Sequence, residues 1–216
     1  MRAVGRSLSI FKQNWLLCLI AFSTFILGAG LGVLAANNLP SGQLTEIHNY
    51  LGAFLQQIEH LPFDSVRAVR SIMYENIIFI GIIYFLGLTF VGIPLILGLV
   101  LGRGFLLGFA VWSLTKAMSW PGLLLALVSL LPHNLFYLPA LIVGVAAAIS
   151  FASLTYRRQE HYRVQLWRAF AGYTAIMLAV AAVTLGAALI EAYFSPWLTR
   201  LACGLIQMAF PITFPN

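Results

Sequence analysis

Charge is what this sequence has least of. Only 8% of its 216 residues are Asp, Glu, Lys or Arg, against about 25% in soluble domains. Asp64 is the only aspartate, which excludes an intramembrane aspartyl dyad. The four histidines, His48, His60, His133 and His161, are scattered, with no HExxH and no paired Cys/His spacing to hold a metal. No GxSxG nucleophile elbow is present. The two cysteines, Cys18 and Cys203, fall on opposite sides of the topology derived below and read as small apolar fillers, not a disulfide. No catalytic constellation emerges, so the chain is expected to be neither an enzyme nor a cofactor-binding protein.

What is present is apolar. Hydrophobic residues make up 61% of the chain and the mean hydropathy is +0.94. One soluble core of this size cannot hide that much apolar surface, and the excess must face lipid. The sparse charges separate runs long enough to cross about 30 Å of hydrocarbon as helix. These runs are Trp15 to Ala36, Ile77 to Gly102, a short Gly104 to Thr115, an overlong Gly122 to Tyr156 broken at Pro132, and Ala169 to Ile190. Their interiors lack strict alternation, which favours helices over barrel strands. The expected fold is all-α: a polytopic integral membrane bundle of about five transmembrane helices, with a broken helix near Pro132 and an amphipathic extracytoplasmic helix.

A single integral domain spans 1–216. Its expected parts are a cytoplasmic N-terminus (1–14), an extracytoplasmic helical loop (37–76), a basic cytoplasmic loop (157–168) and an extracytoplasmic C-terminal segment (195–216). With the N-terminus inside, eight basic residues are cytoplasmic and only Arg67, Arg70, Lys116 and Arg200 lie outside. That is a positive-inside bias. The basic surplus therefore reports topology in a cell membrane and contact with lipid headgroups, not nucleic acid. The first run is longer than a cleavable signal h-region and reads as an uncleaved anchor.

The extracytoplasmic loop has a pattern of its own. Leu44, Ile47, Leu51, Phe54, Leu55, Ile58 and Leu61 recur at helical spacing, with Ser41 as N-cap and Pro62 as stop. An interfacial helix resting on its own bundle is one reading. A docking face for an extracytoplasmic partner, carried by Leu44, Ile47, Leu51, Phe54 and Ile58, is the other.

Within the membrane the punctuation is glycine and proline. Pro94 is expected to kink or interrupt the second span near Gly92. GxxxG spacing occurs at 28/32, 98/102 and 104/108, which permits close helix approach inside one chain or in a homodimer. Arg103, beside Gly104 and Gly108, is expected to anchor a cytoplasmic turn by snorkelling. Pro132 and Pro139 bracket polar His133 and Asn134, and broken backbone at membrane depth must be buried in protein or line a wet cavity. His133 and Asn134 are expected to supply missing hydrogen bonds locally, with a ligand, proton or metal role as the sharper alternative. No carboxylate falls in the middle of a predicted span, which argues against an ion-coupled transporter.

Several ordered stretches carry a resemblance. They are Glu75-Asn76, Leu86 through Pro94 (LGLTFVGIP), Arg103 through Phe109 (RGFLLGF), Trp120-Pro121-Gly122, and Leu131 through Ala140 (LPHNLFYLPA). Together with the glycines of the first span and Asn37-Asn38 after it, they resemble the stage II sporulation protein M family, sporulation branch, over essentially the whole chain. Where many broader relatives carry a glutamate this chain has Tyr137, and Asn134 stands where they have glycine. The resemblance implies a role in endospore formation, as a polytopic scaffold in the mother-cell membrane during engulfment. It implies stage II sporulation proteins D and P as partners, which degrade septal peptidoglycan. The rival expectation is a channel or permease subunit with a path lined around Pro132 and His133.

Overall fold

The computed structural model describes residues 2–40, 42, 43, 45–47, 49, 65–156 and 167–189. Most of them lie in four long helices, α1 (Arg2–Asn37), α2 (Ser65–Gly87), α3 (Gly92–Tyr156) and α4 (Trp167–Leu189), and the described residues from 42 to 49 are helical as well. Five segments are long and apolar enough to cross a membrane, because α3 supplies two of them, Gly92–Ala117 and Asn134–Thr155.

The span count matches the sequence reading, but the boundary between the second and third spans moves. The expected turn at Arg103 lies instead at residues 88–91, between Gly87 and Gly92. Backbone bonds Leu88 N to Phe85 O, Thr89 N to Leu86 O and Gly92 N to Thr89 O close this turn at 3.1–3.2 Å. A Cβ on Gly92 would fall on the carbonyl oxygen of Leu86, so the tight return needs glycine there. Pro94 then sits in the first turn of α3, where an amide donor has no intrahelical acceptor and its loss costs nothing. The interruption expected near Gly92 is thus a complete reversal of the chain. The glycines at 98, 102, 104 and 108 continue inside one long helix rather than ending it.

The break in the overlong segment also differs from expectation. The residue with non-helical dihedrals inside α3 is Ser119 (φ 55, ψ −133), whereas the backbone at Pro132 is helical. The reason is positional: Pro121 opens a new helical turn directly after Ser119. Trp120 to Leu131 runs helically into Asn134–Thr155.

α1 and the first half of α3 run parallel and meet backbone to backbone. Cβ atoms built on Gly28 and Gly32 would collide with the carbonyls of Leu101 and Phe105. Built on Gly104 and Gly108, they would collide with those of Phe25 and Ala29. Two small-xxx-small motifs therefore face each other across one seam, the arrangement in which helices approach most closely in lipid. At its far end Lys116 Nζ donates to Asn37 O at 2.6 Å, closing the C-terminus of α1. The third spacing, 98/102, takes no part: a Cβ on either glycine meets nothing within 4 Å.

The segment Asn134–Thr155 is the centre of the bundle. Half of its most apolar window (50%) is buried, against 33% or less in every other span. Tyr137, Leu141, Val145, Ala148 and Ile149 line this core with Ile80 and Ile83 of α2, Ile96 and Val100 of α3, and Met177 and Val180 of α4. Large side chains such as Leu27, Phe85, Leu106 and Leu178 remain exposed around it, as lipid requires. Trp15 and Trp167 stand exposed at one end of the bundle, and Trp120 beyond the other end of α3's first half, the places of an aromatic belt.

Candidate functional site: charges inside the bundle

The relocated turn carries Arg103 into the membrane. It stands 11 residues into the 26-residue span Gly92–Ala117, about 16 Å from that end of the helix. A guanidinium that deep cannot snorkel to an interface. It turns inward and lies over the ring of Phe79 on α2 at 4.4 Å and near that of Tyr137 at 5.5 Å. Among the described residues no carboxylate forms an ion pair with it. An arginine at a helix centre costs on the order of 2.5–3.5 kcal/mol to insert, and each cation–π contact returns about 0.5–2 kcal/mol. Two rings therefore offset much of the cost without any acid. The side chain links α2, α3 and the central segment.

Glu75, expected at the entrance of the second span, also moves inward. It lies 12 residues before Gly87, about 18 Å from the same turn. It is level with Arg103 across the α2–α3 hairpin and is exposed on the lipid side of its helix. Glu75 is the seventh residue of the 19-residue span Val69–Gly87, so a carboxylate lies within a span, nearer its Val69 end than its Gly87 end. Its neighbour Asn76 is one of the few buried polar residues, with 4% exposure.

A second polar cluster sits nearer the turn. Tyr173 of α4 is sandwiched between Phe151 (4.8 Å, 3°) and Tyr84 (5.3 Å, 5°). Its hydroxyl donates to Tyr84 O at 2.9 Å. Tyr84 Oη and Thr174 Oγ1 are 3.1 Å apart. A Cβ on Gly87 would run into the Tyr173 hydroxyl and into Ala148, 2.8 Å from its methyl carbon. Three helices are keyed together by one stacked ring.

Of the site residues expected from sequence, Gly104 and Gly108 form the seam with α1, Gly92 and Pro94 form the turn, and Arg103 enters the core. Asn134 Nδ2 donates to Leu130 O at 2.8 Å, a local bond of the expected kind. The carbonyl that Pro132 deprives of its donor is that of Val128, so this bond does not replace the missing one. Pro139 is helical and exposed. The side chains of Pro132 and His133 are outside the described residues, as are Leu44, Leu51, Phe54 and Ile58 of the proposed docking face, the 157–166 loop, Cys203 and the C-terminal segment. Ile47 is helical and half-buried. Phe79, Tyr137 and Tyr173 were missed. The Gly92-Ile93-Pro94 start signal, read as a helix opening, would have placed Arg103 mid-span and called for aromatic or acidic partners.

Five apolar spans around a glycine-packed core define a multi-pass helical membrane protein. Within that class the chain belongs to the stage II sporulation protein M family, whose profile matches residues 18–196. No curated protein and no solved structure matches it.

Proposed function

We propose that this chain is the membrane scaffold of a sporulation engulfment complex, holding peptidoglycan-degrading partners at the septal and engulfing mother-cell membrane without performing wall chemistry itself. The observation that carries this reading is the family match, which begins within the first span and runs past the last. The structure supports it with rigidity. α1 is locked to α3 through backbone contact at four glycines, and α4 to α2 through the Tyr173 stack. A platform that must hold loops at fixed separation is served by such packing.

On this reading the N-terminus is cytoplasmic. With Arg103 inside the bilayer, seven basic residues remain on that side against the four outside, so the bias persists. Stage II sporulation proteins D and P are the partners that the family implies, and the 41–61 stretch is the candidate docking face.

Affinity purification of the tagged chain from sporulating cells tests the scaffold role. The two hydrolases are expected to co-purify with wild type and to be lost with the double change Leu51→Glu and Phe54→Glu, while membrane insertion is retained. Co-purification undiminished in that variant removes the loop as the docking site, and failure with wild type removes the scaffold.

The rival permease reading draws on the mid-membrane position of Arg103. It requires solute flux through reconstituted vesicles that falls in Arg103→Ala and His133→Ala. Tight vesicles eliminate it.

A further inference from the structure

The α2–α3 hairpin carries two opposite charges at membrane depth that the described bundle does not pair. Glu75 and Arg103 stand 12 and 11 residues from Gly87 and Gly92, which places both about 16–18 Å from the turn they share. Glu75 is exposed and Arg103 partly so. Phe79, the ring that Arg103 covers, lies one helical turn from Glu75 on the same side of α2. α2 is also the least covered span, with 17% of its apolar window buried. Ile78, Ile82 and Phe85 continue the stripe of Glu75 at three- and four-residue spacing, and all three are exposed.

We infer that a second copy of this chain covers this flank, Glu75 of each copy meeting Arg103 of the other. Copies inserted in the same orientation are related by an axis along the membrane normal, so a group meets only groups at its own depth. Glu75 and Arg103 satisfy that condition with opposite sign, and two-fold symmetry then makes the contact twice. The glycine pairs 28/32 and 104/108 cannot supply the interface, because both are spent inside the chain. A headgroup phosphate does not fit either, since at this depth the groups stand in the hydrocarbon layer. The inference does not rest on the scaffold reading.

The test uses the full chain in phosphatidylethanolamine–phosphatidylglycerol vesicles, with energy transfer measured between donor- and acceptor-labelled copies as lipid is added. Wild type is expected to associate, and Glu75→Gln to weaken association at least tenfold with the melting temperature kept. Glu75→Arg and Arg103→Glu are each expected to fail alone, facing like charges across the axis, and to recover transfer when mixed. No transfer in wild type at any dilution overturns the dimer. Association unchanged in Glu75→Gln overturns it as a charge-paired dimer. A Glu75→Gln that lowers only the melting temperature indicates a pair within one chain and equally overturns it. Should the charge-reversal variants fail to insert, Glu75→Gln decides alone.

Discussion

The ammonium of Lys116 sits on the carbonyl oxygen of Asn37, 2.6 Å away and 79 residues earlier, and ties the end of α1 to the end of the first span of α3. The last carbonyls of α1 have no helical donor, and a cation there meets both the orphan oxygen and the negative end of the helix. Lys116→Met is expected to lower stability by about 0.3–1 kcal/mol, the usual size of such a contact, read as a small drop in melting temperature in detergent. An unchanged melting temperature would show the bond to be incidental.

The α1–α3 seam predicts a sharper contrast. Gly32→Ala or Gly108→Ala puts a methyl group onto backbone, which cannot yield as a side chain can. A loss of about 1–3 kcal/mol or more is expected. Gly30→Ala and Gly172→Ala meet open space and should be neutral or stabilising by up to ~1 kcal/mol. Thermal scans of the four variants side by side check the pattern, and equal effects would refute the seam.

Ser119 holds a left-handed backbone angle, φ 55, in a region that disfavours side chains. Such a residue stores on the order of 1–3 kcal/mol. Ser119→Gly is therefore expected to raise the melting temperature, and Ser119→Val to lower it. A destabilising glycine would mean that the hydroxyl, not the backbone, is what the site needs.

Tyr173 separates stacking from hydrogen bonding. Tyr173→Phe keeps both ring contacts and gives up the bond to Tyr84 O, worth about 0.6 kcal/mol in a membrane interior. Tyr173→Ala empties the space between Tyr84 and Phe151 and is expected to cost about 3–5 kcal/mol. Urea or heat denaturation in detergent distinguishes the two, and similar losses would place the stability in the hydroxyl instead.

Tyr137 is buried beside the cation inside the bundle. Its ring lies 5.5 Å from the guanidinium carbon of Arg103, so a carboxylate at that position would stand beside a cation. Tyr137→Glu is expected to be accumulated and folded, and Tyr137→Lys to be degraded or misinserted. Membrane-fraction yield measures this, and the reverse order would contradict the clamp.

Much of the architecture was legible from hydropathy. Run length against bilayer thickness gives five crossings, and the GxxxG spacings permit close packing without telling the 28/32 and 104/108 pairs, which pack inside the chain, from 98/102, which does not. The failures share one cause. Proline breaks a helix by identity, yet what Pro94 and Pro132 do depends on their place in α3. At the third residue of α3 Pro94 is harmless and marks a start, whereas the real discontinuity fell at Ser119, a residue type that gives no warning. A turn at Arg103 instead of at 88–91 shifts Arg103 from the membrane interior to its surface, and Glu75 from within the span to its entrance. The aromatic partners Phe79, Tyr137 and Tyr173 come from three different helices, so no local spacing could announce them.

The parallel seam between α1 and α3 also sets an order of events during synthesis. Helices that point the same way cannot touch until the chain between them has crossed back, so α1 must wait in lipid, with Gly28 and Gly32 bare, until α2 is through and α3 arrives. The seam therefore forms only after two further crossings, although its two glycine pairs are ready to pack as soon as they meet. Anything that delays the Gly87–Gly92 reversal leaves a glycine-rich helix waiting unpartnered in the bilayer, open to quality-control proteases.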